Sequence, residues 1–99
     1  ALYPVWAGLT PDHIALSSRL ALAELLLSGC TTASDHHYVF PAGLETAIDI
    51  QIAEAVKLGV RVVLTRGSMS LSVKDGGLPP ESVVQDQDTI LADSERLIQ

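Results

Sequence analysis

The chain has 99 residues, of which 47% are hydrophobic and 18% charged, and it carries a net charge of −6 at pH 7. This length allows one domain at most, with a modest core that buries about two thirds of the unfolded surface. Its six basic residues are scattered, so the acidic sequence offers no basic patch for a phosphate backbone, and we expect no nucleic-acid partner. Aromatic residues make up only 4%, so burial must come from aliphatic side chains, which is typical of a sheet covered by helices.

The sequence shows no feature of a secreted or membrane protein. Its first residues contain no charged segment followed by an apolar core. The longest apolar run, residues 20–27, is interrupted by Glu24 and is far shorter than the ~20 residues of a membrane helix. The single cysteine, Cys30, rules out an internal disulfide and fits a reducing compartment. We therefore expect a cytoplasmic protein that does not enter a membrane.

The first third of the chain predicts a helix followed by a short strand. We expect no regular structure over residues 1–9. Thr10 is a typical N-cap, and a helix follows over about residues 11–28, where Gly29 ends it. A Thr-rich segment over about residues 30–36 then predicts a buried strand.

The remainder of the chain repeats this order. Apolar residues at helical spacing predict a second helix over about residues 44–58, and the β-branched run over residues 60–66 predicts a second strand. A loop over residues 68–80 is longer than an ordinary connection of ~4 to 6 residues, which favours a functional role. A last helix is expected over about residues 87–99.

The predicted order indicates an α/β fold with two parallel strands and flanking helices. Strands that are separated by a helix of this length are expected to be parallel neighbours. Two strands alone leave both outer edges unpaired. The chain therefore either pairs with copies of itself in a homo-oligomer or is a slice of a larger barrel or open sheet.

Asp35, His36 and His37 form the strongest local signal for chemistry, because ligands collect beyond the carboxyl ends of parallel strands. Adjacent strand residues point to opposite faces, so the two histidines cannot both bind one metal ion in regular geometry. One histidine could reach a pocket while the other stabilises the loop, and a structural role is also open for each.

Arg66 is the second candidate site residue. It ends the second predicted strand and precedes Gly67, which would let a ligand approach the backbone closely. Its guanidinium could bind a carboxylate or a planar polar group. The alternative is a salt bridge to Asp35 from the neighbouring strand, and the two roles are compatible.

Three segments carry a resemblance to a known family: LLLSGCTTASDHHYVFP at residues 25–41, VLTRGSMSLS at residues 63–72 and DGGLPPESVV at residues 75–84. Together they resemble the metal-dependent amidohydrolase superfamily, in its branch of aminohydrolases and deaminases. The likeness extends to LYPVWAGLTP at residues 2–11 and so covers nearly the whole chain.

The resemblance implies a (β/α)8 TIM barrel of several hundred residues. Residues 1–99 would be a single partial domain, a slice of the N-terminal half that carries the second and third strands. The chemistry implied is deamination of a purine-like heterocycle of the 8-oxoguanine type, in which zinc or another divalent metal activates water and ammonia is expelled.

The resemblance also places the metal ligands outside this chain. His36 and His37 do not match the family's His-x-His motif, so we assign no metal ligand and no catalytic residue here, and expect the 99 residues alone to be inactive and to bind no metal. Arg66, His36 and His37 are expected to contact substrate, whereas Asp35 is expected to be structural.

The partners implied are a small heterocyclic substrate and the remaining barrel of the same chain. The alternative function is a standalone αβ module that self-associates as a structural or binding unit. A small ligand-binding domain that uses His36, His37 and Arg66 is a further possibility.

Overall fold

The computed structural model describes residues 2–99. Two parallel strands form the sheet, and four α-helices and two one-turn 3-10 helices (Val73–Asp75 and Glu81–Val83) accompany it, which confirms the predicted α/β class with two parallel strands and flanking helices. The strands are β1 (Thr32–His37) and β2 (Arg61–Arg66), and the helices are α1 (Tyr3–Trp6), α2 (Pro11–Leu27), α3 (Ala47–Leu58) and α4 (Gln87–Ile98).

Helix α2 begins and ends as its sequence predicts. The Thr10 hydroxyl accepts a hydrogen bond from the His13 backbone N–H, and the His13 ring accepts one from the Thr10 N–H. These two bonds satisfy donors that the first turn of a helix leaves free. Gly29 follows the last turn with φ of +96°, a backbone conformation that favours glycine.

Strand β1 and helix α3 begin later in the chain than predicted, because turn hydrogen bonds occupy the backbone groups just before them. Strand β1 begins at Thr32 rather than at residue 30, because the Cys30 N–H donates to the Leu25 carbonyl, 2.9 Å away, and completes the end of α2. Helix α3 begins at Ala47 rather than at residue 44, because the Leu44 N–H closes a turn onto the Pro41 carbonyl. Both differences arise from turns that hydrophobic periodicity does not register.

The prediction of no regular structure over residues 1–9 is wrong for Tyr3–Trp6, which forms one helical turn. Pro4 lies in the first turn of this short helix, where its missing N–H leaves no intrahelical bond unmade. The turn places Trp6 against the segment that follows β1.

The sheet has two faces of different character. In β2 the exposed residues alternate with the half-buried Val62, Leu64 and Arg66, as the pleat requires. We call the side away from the helices the open face. It carries Thr32, Ser34 and His36 from β1 and Arg61, Val63 and Thr65 from β2.

The core lies on the other side of the sheet, under the loop that follows β1. Phe40 and Leu44 from this loop pack with residues of α2 and α3, and both are almost completely buried. The buried cluster consists of Ile14, Phe40, Leu44, Ala47 and Ile48. Because the loop supplies part of the core, its position relative to β1 is fixed by apolar burial.

Ion pairs join the helices to one another. Glu54 on α3 is buried and accepts hydrogen bonds from Arg19 on α2 and Lys57 on its own helix, at 3.0 and 3.1 Å. These bonds lower the pKa of Glu54 to about 2, with the Arg19 bond as the largest cause. Arg96 on α4 likewise pairs with Asp49 on α3 at 2.7 Å.

Large apolar side chains remain exposed on several elements. Leu16 and Leu20 on α2 are more than half exposed, and Leu27 at its end is 89% exposed. Val63 on the open face is 61% exposed. None of the helices formed by residues 2–99 is long and apolar enough to cross a membrane. Exposed apolar patches of this kind mark contact surfaces.

We expect the 99 residues, expressed alone, to aggregate or to form a molten state, because this apolar surface would face water. Light scattering after size exclusion should show species larger than a monomer, and a hydrophobic dye should bind. A monomer with a sharp thermal transition would contradict this expectation.

Glu54→Gln should remove a pH-dependent contribution to stability. The pKa of Glu54 is depressed in the folded state, so its stabilising effect is present above its ordinary pKa of 4.5 and is lost as the pH falls toward about 2. In the longer protein that the resemblance implies, the thermal midpoint of Glu54→Gln should lie below that of the unchanged protein at pH 6, and the gap should narrow as the pH falls from 4.5 toward 2.

Glu24→Gln is the matched control, since Glu24 is exposed on α2 and forms no ion pair within residues 2–99. Its midpoint should lie close to that of the unchanged protein at pH 6. A gap for Glu54→Gln that does not vary with pH would show that the ion pairs are not responsible.

Candidate functional site

The carboxyl ends of β1 and β2 bring the three predicted site residues to one edge of the sheet. The register pairs His36 with Thr65 and His37 with Arg66. The strands are parallel, so both chains leave the sheet at this edge and continue into loops. This is the position at which α/β proteins collect ligands.

His36 lies on the open face and is exposed. Its Nδ1 lies 2.6 Å from the Thr65 hydroxyl, and that hydroxyl lies 3.2 Å from the Asp35 carbonyl oxygen. The His36 ring also packs at a tilt against the Tyr38 ring, with 5.6 Å between the centroids. The imidazole is therefore held on two sides while remaining open to solvent.

A row of aromatic rings continues from His36 toward the amino terminus, and we call it the aromatic row: His36, Tyr38, Trp6 and Tyr3. Trp6 meets Tyr38 edge to face at 6.0 Å, and Tyr3 meets Trp6 edge to face at 5.2 Å. Edge-to-face contacts of this kind stabilise aromatic pairs. Sequence reasoning missed the row, because only the fold brings the first helical turn to the end of β1.

Gly67 follows β2 and lies directly against the aromatic row. A Cβ atom at this position would be 2.6 Å from the Tyr38 Cβ and 2.9 Å from the His36 Nε2. Real Cβ atoms essentially never approach other atoms so closely. Gly67 thus provides the space in which His36 and Tyr38 lie, whereas the approach of a ligand to its backbone stays a prediction.

His37 points to the opposite side of the sheet, as predicted for adjacent strand residues. Its Nε2 lies 2.5 Å from the Val39 carbonyl oxygen, and its ring meets Phe40 edge to face at 5.0 Å. Burial lowers the pKa of His37, which favours the neutral ring. The carbonyl can only accept, so in this neutral ring the proton resides on Nε2.

Arg66 has structural partners for three of its nitrogen atoms. Nε donates to Asp93 at 2.9 Å, one terminal nitrogen donates to the Gly67 carbonyl at 2.7 Å, and the other donates to Gln85. The guanidinium carbon lies 4.0 Å from the centroid of the Phe40 ring, and the side chain is only 5% exposed. Arg66 therefore joins β2 to α4 and to Gln85, which precedes α4.

The predicted salt bridge between Arg66 and Asp35 is wrong. The register places Arg66 beside His37, and α4 supplies Asp93 as the carboxylate partner. Asp35 instead accepts a hydrogen bond from the Gln51 side chain of α3 at 2.6 Å. The carboxylate partner of Arg66 therefore comes from α4, not from the neighbouring strand β1 as predicted.

A cavity of about 310 Å³ lies between α2 and the helix side of the sheet. Asp35, His37 and Gln51 contribute polar groups to its lining. The buried Gln51 Oε1 has no hydrogen-bond partner within residues 2–99. The cavity lining therefore contains one buried hydrogen-bond acceptor that has no partner among these residues.

The described residues do not form a metal centre by themselves. Within residues 2–99, no group of three or more histidine, cysteine, aspartate or glutamate side chains is arranged to hold a metal ion. His36 and His37 lie on opposite faces and so cannot share one ion. This edge provides an exposed imidazole, an aromatic surface and a glycine, Gly67, against which His36 and Tyr38 pack closely.

Comparison with known proteins identifies relatives of this chain. The chain is 68% identical to 8-oxoguanine deaminase of Pseudomonas aeruginosa strain PAO1 over 97 residues, which are 98% of the chain and 22% of that enzyme. It is 39% identical to hydroxydechloroatrazine ethylaminohydrolase of Pseudomonas sp. strain ADP over 98 residues, which are 98% of the chain and 20% of that enzyme. No protein-family model matches the chain.

The fold agrees with the sequence comparison. Atrazine chlorohydrolase TrzN from Arthrobacter aurescens TC1, in its crystal structure complexed with zinc, superposes with a TM-score of 0.82 at 36% identity. The match covers 90% of this chain and 20% of TrzN. The chain thus spans about a fifth of the length of the relatives it matches. From both comparisons, these 99 residues belong to the metal-dependent amidohydrolase superfamily, in its branch of aminohydrolases and deaminases.

Proposed function

We propose that these residues are part of an aminohydrolase that deaminates a purine-like heterocycle of the 8-oxoguanine type. The observation that carries the proposal is the 68% identity to 8-oxoguanine deaminase over 98% of the chain. The other relatives named above act, by their names, on triazine compounds, which are also planar nitrogen heterocycles. Hydrolysis of the bond between a ring carbon and its substituent, an amine in one relative and chlorine in TrzN, is what these relatives have in common with the proposal.

We place the segment in the N-terminal half of a (β/α)8 barrel, as its second and third strands with their helices. The parallel pairing of β1 and β2 and the superposition on TrzN support this placement. In such a barrel the open face would line the interior, and the carboxyl ends of the strands would meet the substrate. Further strands would cover the exposed apolar surface.

The single cysteine supports a cytoplasmic location.

Within the site, we propose that His36 contacts the substrate directly. Its exposure on the open face and its contact with Tyr38 support this role. His37 and Arg66 belong to the same edge, but their side chains contact Val39, Phe40 and Asp93 on the helix side. For these two residues we propose a positioning role, in which they hold the loops after β1 and β2. A direct contact of either one with substrate stays a prediction.

Zinc or another divalent metal belongs to the proposal for the whole protein, because a solved relative is complexed with zinc. Residues 2–99 do not supply a ligand set. The contribution of this segment is therefore to bind and orient the heterocycle, which lowers the entropic cost of reaching the reactive geometry.

A self-associating αβ module is the competing proposal. The exposed apolar residues of α2 and the two-stranded sheet favour it, since both leave surface that a second copy could cover. The flanking coding sequence separates the two proposals. A His-x-His segment about 40 to 50 residues upstream, a spacing that the resemblance implies, would support the barrel, whereas a start codon directly before Ala1 and a stop codon after Gln99 would support the module.

The full-length protein should release ammonia from 8-oxoguanine, because the sequence identity covers the same segment of an enzyme with that name. Ammonia release from 8-oxoguanine, guanine and a hydroxylated triazine should be compared under identical conditions. Release from the triazine alone would move the substrate class away from purines. No release from any of the three would overturn the proposed function.

His36→Asn should lower kcat/KM about tenfold, the effect of losing one hydrogen bond of about 1.4 kcal/mol, and should leave the metal content unchanged. Both follow if His36 contacts substrate and is not a metal ligand. Steady-state kinetics and elemental analysis of the purified full-length protein measure the two quantities.

Cys30→Ala is the matched control, because Cys30 precedes β1 at the opposite end of the strand. It should leave both quantities unchanged. Loss of metal in His36→Asn would make His36 a ligand and contradict its assignment to the substrate surface.

A further inference from the structure

We propose that Thr65 fixes the tautomer of His36, so that the imidazole presents an unprotonated Nε2 as a hydrogen-bond acceptor for a ring N–H of the heterocycle. The inference rests on the proposed function, since it requires the open face to meet a substrate. It adds Thr65 as a positioning residue. It also makes His36 the hydrogen-bond acceptor, and the substrate the donor, in the contact between them.

The Thr65 hydroxyl has one proton and two close neighbours. Its oxygen lies 2.6 Å from the His36 Nδ1 and 3.2 Å from the Asp35 carbonyl oxygen. The carbonyl oxygen carries no proton, so a bond between these two oxygens must use the proton of Thr65. The hydroxyl then has only lone pairs to offer His36, and Nδ1 must donate.

A neutral imidazole carries a single N–H group. When that proton resides on Nδ1, the other nitrogen has a free lone pair and acts as an acceptor. The chain of bonds from His36 through Thr65 to the Asp35 carbonyl therefore leaves Nε2 unprotonated. The same arrangement of a second bond that sets the tautomer is general for functional histidines.

The free nitrogen lies where the backbone leaves room for it. A Cβ atom at Gly67 would be 2.9 Å from Nε2, so only a glycine at this position lets the ring lie where it does. His36 is exposed, and the Tyr38 ring beside it is 37% exposed. An acceptor nitrogen thus lies next to an accessible aromatic surface.

This pair of features fits one class of ligand. Planar heterocycles that carry a ring N–H can stack on an aromatic ring and donate to an acceptor in the ring plane. An analogue in which that N–H is methylated would leave the acceptor without a partner. Sites built on such a bond discriminate strongly against analogues that lack the donor.

The test uses Thr65→Val and Thr65→Ser in the full-length protein with ¹⁵N-labelled histidine. The NMR signal of His36, identified by its loss in His36→Asn, should show the Nδ1–H tautomer in the unchanged protein and in Thr65→Ser. In Thr65→Val the Nε2–H form should appear. Activity on 8-oxoguanine should fall about tenfold in Thr65→Val and should be restored in Thr65→Ser.

Thr31→Val is the matched control, because Thr31 is exposed and precedes β1, at the end of the strand away from His36. It should change neither the tautomer nor the activity. An Nε2–H signal in the unchanged protein, or equal losses of activity in Thr65→Val and Thr65→Ser, would overturn the role of Thr65.

The tautomer can be measured whether or not ammonia is released. Failure of the proposed function is therefore distinguishable from failure of the role proposed for Thr65. If ammonia is released, an N-methylated purine that binds as tightly as its parent would overturn the assigned contact. If no heterocycle is deaminated, the proposed function fails, and the NMR signal still decides whether Thr65 sets the tautomer.

Discussion

The register of the two parallel strands is the constraint on which the site depends. It pairs His36 with Thr65 and His37 with Arg66, so two side-chain pairs lie at one edge and on opposite faces. A shift by one residue would exchange the faces of every side chain in the strand. His36 would then lie against the core, and the bond between its ring and the Thr65 hydroxyl could not form.

The register is in turn held by burial on the helix side. Phe40 is almost completely buried, contacts His37 at its edge and lies under the guanidinium of Arg66. Because Arg66 also bonds to Asp93 on α4 and to Gln85, the loops after both strands share one set of contacts. The open face can therefore carry polar groups without losing the order of the strands beneath it.

The sequence predicted the elements well because their signals are local. The cap at Thr10, the glycine after α2 and the β-branched run of β2 each act within a few residues. Likewise, the pleat alone predicted that His36 and His37 point to opposite faces. The partner of Arg66 and the contact of Trp6 with Tyr38 were not predictable in this way, because each depends on how distant segments meet.

The chemistry of the open face discriminates between a pocket and a contact between copies. Thr32, Ser34, His36 and Thr65 all lie on this face, and each brings polar atoms to it. Burying such groups against an apolar partner costs ~1 to 3 kcal/mol for each one that is left without a hydrogen bond. A space that admits water and a polar heterocycle imposes no such penalty, so the polar atoms of this face favour a substrate pocket over burial against an apolar surface.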